Sequence, residues 1–441
     1  MRIAVIGSGI SGLTCGHLLA PAHDVTVFEA DSRVGGHTNT VSVSIDDEQH
    51  EIDTGFIVYN ERTYPNFTRL LASLNVETVP TSMSFSVRSD RDRLEYNGTS
   101  LNGVFAQRRN LLRPGFLRLL YDIIRFSRVG SIDLDRVPHD QTVGDYIVER
   151  GFSKQFSERY LFPMGAAIWS CPFDDFARFP IRFILEFYVN HGLLSLRNRP
   201  VWRVIRGGSK RYVDRLIEPF RDRIRLSCPV YSVKRSDDGV TIRHAFGSDE
   251  FDEVIFACHS DQALRLLGDE ADDEETMILS AFPYRRNTAV LHMDESLLPR
   301  RRRAWASWNY HIGGKPFSMP TVTYNANILQ QLESEHTFCI TLNEKDSIDP
   351  KKMLAEFEYS HPVFTTRRAE FQARHQQFIR RRRTSFCGAY WRNGFHEDGV
   401  VSALSVCDKF GIPASTAFAV APVASQAGED GAVSLLKERI L

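Results

Sequence analysis

Arg2-Ile3-Ala4-Val5-Ile6-Gly7-Ser8-Gly9-Ile10-Ser11-Gly12 is the stretch on which the fold turns. Ile3 to Ile6 form an apolar run of strand length, and three glycines follow it in G-x-G-x-x-G spacing. The pattern beyond predicts a helix over Leu13 to Ala20 and a second strand over Asp24 to Glu29. In such a strand–turn–helix–strand unit Gly7 allows the tight turn, Gly9 lets backbone approach a pyrophosphate, and Gly12 lets helix and strand pack closely. The helix start, with Ile10 and Ser11, turns its N–H groups toward the phosphates. Glu29, closing the second strand, stands where ribose hydroxyls are held. A unit of this kind accepts the adenosine diphosphate of FAD or of NAD alike.

Working outward, 441 residues exceed one ordinary core and predict two connected domains. Strand-like stretches recur at Arg223 to Val233, Val240 to His244 and Asp252 to Cys258, the last leading into a helix over Asp261 to Leu267, and could return to the first sheet. Between them, Tyr64 to Leu196 reads as mostly helical, with helical periodicity in Phe116 to Phe126 and Phe183 to Leu194. From Asn287 to Phe338 alternation returns, as in Thr288 to His292 and Met319 to Tyr324, predicting a second sheet.

Composition narrows the classes. Lys plus Arg number 54 and Asp plus Glu 55, a balance of −1 that argues against wholesale nucleic-acid binding. The seven cysteines lie far apart, with neither a Cys-x-x-Cys pair nor the spacing of a zinc site, so reduced thiols and no metal are expected. Behind Met1-Arg2 the apolar run is too short for a secretion leader, and no run is long enough to span a bilayer. The expectation is a cytoplasmic protein, with peripheral membrane contact left open. Two arginine clusters, Arg300 to Arg303 and Arg380 to Arg383, read as solvated surface or as the means of such contact.

Four further segments carry a family likeness. Ala30-Asp31-Ser32-Arg33-Val34-Gly35-Gly36-His37-Thr38, following Glu29, resembles the second pyrophosphate loop of the monoamine oxidase, phytoene desaturase and protoporphyrinogen oxidase superfamily, with His37 where arginine is more common. The resemblance implies that Gly35 and Gly36 let backbone amides reach phosphate oxygens. Asp53-Thr54-Gly55-Phe56 is similar to the segment that lies against the isoalloxazine ring, although Asp-Thr-Gly is equally an ordinary turn. Gly207-Gly208 and the following Cys228-Pro229-Val230 are similar to the adenine-side segments, which makes Val230 an adenine contact or simply a buried strand residue. Gly388-Ala389-Tyr390 and Gly394-Phe395-His396-Glu397-Asp398-Gly399-Val400 resemble the closing flavin segment, with Ala389 where the family carries an acid. There Glu397 or Asp398 could supply the carboxylate, and a helix from Gly399 would turn its N-terminus to the flavin.

That likeness implies an α/β fold. A Rossmann-like, glutathione-reductase-like FAD-binding domain would be assembled from 1–80, 200–285 and 380–441, with an inserted α+β substrate domain from 81–199 and 286–379. It implies noncovalent FAD, Cys387 lying outside any covalent-cysteine pattern. Within the superfamily the chain resembles FAD-dependent amine-oxidase-like proteins associated with cyclopropane-fatty-acid synthesis, on Asp53 to Asn60 and Gly394 to Gly399. An oxidoreductase is then expected, dehydrogenating or isomerising an apolar lipid or fatty-acyl substrate by hydride transfer to the flavin. The alternatives are an amine oxidase releasing hydrogen peroxide and a flavin-holding, membrane-associated protein without turnover. Candidate substrate-side residues are Tyr390, Trp308 of the Trp305, Trp308 and Tyr310 cluster, and His396 as acid or base. Core packing competes for the aromatics, and a polar helix start for His396 and Glu397.

Overall fold

A computed structural model describes residues 1–169, 171–194, 200–313, 321–363, 365 and 367–418. Its organising element is a five-stranded parallel sheet in the order Ile224–Arg225, Asp24–Phe28, Arg2–Ile6, Glu253–Phe256, Thr384–Phe386. Side chains alternate across it. Ile3, Val5, Val25, Val27 and Ile255 join one core, with helices Ile10–Leu19, Pro65–Ser73, Lys210–Ile217 and His396–Lys409. Ala4, Ile6, Phe28, Val254 and Phe256 join another, under helices Ser260–Leu267 and Asp273–Ser280. A sheet buried on both faces needs the unbroken apolar strand read at Ile3 to Ile6.

A second, seven-stranded mixed sheet runs in the order Met353–Pro362, Tyr284–His292, Cys339–Leu342, Thr321–Asn325, Trp308–Ile312, Phe85–Ser89, Leu94–Asn97. The helical stretch expected up to Leu196 therefore contains strands, because Val87 pairs with Tyr310 and buries its side chain there. Strand Tyr284–His292 crosses the 285/286 boundary set from sequence, since its first residues already pair with His361 and Pro362. Of the stretches expected to return to the first sheet, Ile224–Arg225 and Glu253–Phe256 do so, whereas Val230–Arg235, Val240–His244 and Gly247–Phe251 form a separate antiparallel sheet. The expected strand residues Met319 and Pro320, and the part of the 380–441 segment beyond 418, lie outside the described residues.

The middle helices, from Pro114–Asp133 to Ile181–Asn190, share an aromatic core with Phe126, Phe156, Phe176 and Tyr188. Among the described residues no helix is long and apolar enough to cross a membrane.

Candidate cofactor and active site

The first helix begins at Ile10, earlier than the apolar pattern suggested, and has no side-chain cap and no acid in its first turn. Its opening amides have no intrahelical acceptor and meet an uncapped, positive helix end. At Gly9 nothing stands within 4 Å of the place a Cβ would take, so the backbone there borders open space. Its neighbours are tight for other reasons. A Cβ on Gly7, whose φ is +107°, would meet the Ala257 carbonyl oxygen at 2.8 Å, and one on Gly12 would meet the Gly7 carbonyl oxygen at 2.0 Å. Gly7 and Gly12 pack strand and helix together; Gly9 keeps a trough clear.

Gly35 and Gly36 form the second wall. Gly36, at φ +58°, would put a Cβ 3.0 Å from the Gly9 Cα, so the two glycine turns lie back to back. The Gly35 amide donates to the Ser8 carbonyl at 3.0 Å, which corrects its expected role as a phosphate donor: it fastens one loop to the other. Glu29 accepts from the Ser8 amide at 2.9 Å on one carboxylate oxygen and from the Asp31 amide at 2.9 Å on the other. The Ser8 hydroxyl donates to the same oxygen as its amide, so the spare lone pair lies on the oxygen that takes Asp31; the side chain is only partly buried, with Ala30 exposed beside it. The Cys228 amide donates to the Glu29 carbonyl at 2.8 Å, bringing Val230 to this adenosine end.

Beyond the loops the trough is lined by histidines. His37 lies 5.2 Å from the Tyr359 ring, 5.4 Å from His361 and 6.1 Å from His259, centroid to centroid. His259 stacks on Tyr284 at 4.1 Å. His37, Cys258, His259, Tyr284 and His361 are partly accessible yet enclosed by the fold, as groups lining a cleft are. Burial drives His37 down to about 4, and His259 and His361 to about 3, so all three rings are neutral near pH 7. The His37 Nε2 has no partner in the protein. Sequence reading missed His259 and His361. The former follows the carboxyl end of a central parallel strand, where ligands of such sheets bind, a signal that Glu253 to Phe256 already carried; His361, on an outer strand of the other sheet, has no comparable one.

Thr38, Phe56 and His396 close the next layer. Thr38 Oγ1 lies 2.6 Å from the Tyr212 hydroxyl and 3.0 Å from His396 Nε2, which is itself 3.1 Å from Tyr212. The His396 ring stacks on Phe56 at 3.5 Å. Burial holds His396 well below its ordinary value. Its Nε2 is committed to Thr38 and Tyr212, so the expected acid or base is instead a neutral brace between loop and helix. Gly55 is needed because its Cβ would lie 2.0 Å from the His37 carbonyl oxygen, so one close approach it permits is to the neighbouring loop. Thr54 donates its amide to Asn39 and sits 2.9 Å from the Tyr359 hydroxyl. Asp53 accepts from the Ser209 amide at 2.9 Å, from the Ser209 hydroxyl and from Thr40, and burial still raises it to about 6.

The closing segment departs most from expectation. Its helix starts at His396. Glu397 accepts from the Asn66 amide, the Asn66 side chain and the Phe67 amide, capping helix Pro65–Ser73. Asp398 accepts from the Phe395 amide at 2.9 Å, and burial raises it to about 6. Glu397 is thus engaged by a neighbouring helix and Asp398 by the start of its own. The Gly399 amide bonds to the Phe395 carbonyl, and a Cβ there would strike Ile10 at 2.7 Å; Val400 is fully buried in the core. Gly399 and Val400 thus serve helix packing, with Ser11 Oγ donating to the Gly399 carbonyl at 3.0 Å, and the amides left over at this helix start belong to His396, Glu397 and Asp398. Gly388 is required because the Tyr390 ring fills the space of its missing side chain. Tyr390 packs on Phe282 and Trp391, with its hydroxyl buried and unpartnered. Cys387 faces Cys15 in the core at 3.9 Å between sulfurs, away from any tethering position, and all seven cysteines are free. Trp308 meets Tyr324 edge to face at 4.9 Å and adjoins Ile57, Val58, Met83 and Leu329.

An FAD fits these residues. The trough beside Gly9, the uncapped helix start, the spare lone pair on the Glu29 oxygen that takes Asp31, and the partnerless His37 Nε2 and Tyr390 hydroxyl are what a diphosphate, a ribose and a polar flavin chain require. The fold and trough define a dinucleotide-binding α/β protein with a second sheet laid against the cofactor cleft. The family described as flavin containing amine oxidoreductase matches residues 10–291, and the chain belongs to it; its cofactor is FAD. It is similar to the flavin-containing amine oxidase A of Canis lupus familiaris, 26% identical over 255 residues, 54% of this chain and 46% of that protein. The chain thus spans about half the length of that relative. Among solved structures it resembles a putative protoporphyrinogen oxidase from Exiguobacterium sp. 255-15, with a TM-score of 0.66 at 16% identity over 93% of this chain and 98% of that one. The CLA-producing fatty acid isomerase from P. acnes gives a TM-score of 0.66 at 15% identity over the same shares, 93% and 98%. Likenesses at such identity establish the fold.

Proposed function

We propose that the chain is an FAD-dependent oxidoreductase that dehydrogenates or isomerises an apolar lipid or fatty-acyl substrate. When bound noncovalently, FAD supplies the acceptor of a hydride from the substrate carbon. The observation that carries the substrate class is the apolar cluster beginning directly after Thr54–Phe56, which we read as one wall of the substrate space: Ile57, Val58, Met83, Trp308, Tyr324 and Leu329 bring no ionisable group that would be charged at neutral pH. The chain's own residues do the rest. Glu29 holds ribose, the first helix and the glycine turns receive diphosphate, and the apolar wall orients the substrate and excludes water. The isomerase likeness supports this reading at the level of fold.

The Trp308–Tyr324 pair, with the family itself, favours a second reading as a flavin amine oxidase releasing peroxide. The edge-to-face angle of 85° speaks for packing over a parallel aromatic cage. Anaerobic mixing of the yellow holoprotein with fatty acids, followed by chromatography of the products, tests the proposal: bleaching of the flavin or a shifted double bond is expected, and NADPH should leave the flavin oxidised. Bleaching by simple amines, with peroxide on readmission of air and no change in any fatty acid, would sink it. A flavin that neither lipid nor amine reduces would point to a protein that holds FAD without turnover.

A further inference from the structure

Helix Pro114–Asp133 carries large apolar side chains on its exposed face as well as its buried one. Phe116, Leu119, Asp122, Phe126, Gly130 and Asp133 form its buried face. The opposite face should be polar in a water-facing helix. Instead Leu117, Tyr121, Ile124 and Ile132, at spacings that keep them on one stripe, are 45%, 59%, 43% and 53% exposed. The turn that leads into the helix adds Leu111 and Leu112, the latter 87% exposed.

Charge around this apolar stripe is one-sided. Arg108, Arg109, Arg113, Arg118, Arg125 and Arg128 surround it, and from 101 to 132 the only acid is Asp122, which is buried and paired with Arg118. The other five lie within ion-pair distance of no acid among the described residues; Arg109 and Arg113 donate to the Arg93 carbonyl, and Arg125 to carbonyls at 150 and 151. The two clusters that drew attention in the sequence behave differently. Arg380 pairs with Glu253, Arg381 and Arg382 with Asp272, Arg302 with Glu295 and Arg300 with Asp90, so most of that charge is neutralised within the fold.

We infer that the face of Pro114–Asp133, with the Leu111–Leu112 turn, docks on an anionic lipid bilayer. An in-plane amphipathic helix that sinks leucine, isoleucine and tyrosine among acyl chains, with arginine head groups reaching lipid phosphates, has this composition. Positive charge without acidic partners selects a negatively charged surface over a neutral apolar one. The inference does not depend on which substrate the flavin oxidises.

Flotation of the full-length holoprotein with vesicles of phosphatidylcholine alone, or mixed with phosphatidylglycerol, tests it. Binding to the mixed vesicles, weak binding to the neutral ones and release by high salt are expected. Leu112→Ser, Leu117→Ser and Ile124→Ser together should lower the partition coefficient more than tenfold, and Arg108→Ser with Arg128→Ser by about fivefold for each arginine. Both variants should keep the flavin absorbance and melting temperature of the parent, since the altered side chains face water. Holoprotein left at the bottom with mixed vesicles, or a triple variant that floats like its parent, overturns the inference. Concentration-dependent dimerisation lost in the triple variant, without vesicle binding, overturns it in favour of a second copy of the chain.

Discussion

Two helix starts meet at the centre of this molecule, and they are chemically opposite. Helix Ile10–Leu19 opens behind glycines with no acid in its first turn; helix His396–Lys409 opens with Glu397 and Asp398. Both expose a positive helix end. At the first, that end is left for an external anion. At the second, Asp398 closes its own helix start and Glu397 reaches across to cap a neighbour, so the region's negative charge is already supplied by the chain. Motif likeness treats both as flavin segments, but only the first opens without an acid of its own.

Glycine substitutions break this contrast most forcefully. In Gly12→Ala the added Cβ would lie 2.0 Å from a backbone oxygen that cannot move away, so loss of folded, flavin-retaining protein is expected. Gly9→Ala meets nothing within 4 Å, so the apoprotein should melt as the parent does while its methyl intrudes on the trough and FAD affinity falls. Calorimetric titration of refolded apoprotein with FAD, beside thermal melts, separates the two; a Gly9→Ala protein with parental affinity would remove Gly9 from the site.

Acid titration acts next. The folded values of His37, His259 and His361 lie at about 4, 3 and 3, below the unfolded value near 6.5. The unfolded chain therefore binds more protons between those limits. Stability is complete above about pH 6.5 and falls as pH drops toward 4, by on the order of 2 kcal/mol per histidine at pH 5. Asp53 and Asp398, raised to about 6, act in the opposite sense over the same window and recover part of the loss. Urea melts of the apoprotein at pH 7 and 5 should show the net fall, and a smaller one with FAD bound, because a diphosphate nearby favours the charged histidine. Equal losses with and without FAD would place the histidines away from the phosphates.

Glu397→Gln is a milder probe of the second helix start. It weakens three hydrogen bonds at the head of helix Pro65–Ser73. A loss of about 1–3 kcal/mol in chemical denaturation, with flavin content unchanged, is expected. Loss of flavin without loss of stability would return Glu397 to the cofactor.

The opening unit was legible because its requirements are local: a strand, three glycines at fixed spacing and an acid all fall within residues 2–29. Gly35, Gly36 and Gly55 were also legible as sites of close approach, though the partner is another stretch of backbone. What failed were assignments that depend on tertiary partners. Nothing around Glu397 tells that Asn66 will claim it, nor does the spacing at Gly399 tell that Ile10 will pack on it. The histidine cluster stayed hidden because His37, His259 and His361 converge from a loop, a strand end and the other sheet.

Tyr390 gives the smallest and sharpest test. Its hydroxyl is buried without a partner, and burial pushes its pKa well above the ordinary phenol value, so that it stays protonated as a donor. An unpaired hydroxyl in the core of an apoprotein carries a desolvation penalty of about 1–3 kcal/mol, which Tyr390→Phe removes. If that donor serves the cofactor, apoprotein stability rises slightly or holds while FAD affinity falls by about tenfold, the worth of one hydrogen bond of about 1.5 kcal/mol. Melts and FAD titrations of the same preparation move in opposite directions in that case. Were both to rise or hold together, Tyr390 would be a packing residue alone, and the polar demands of the cleft would rest on His37 and the glycine turns.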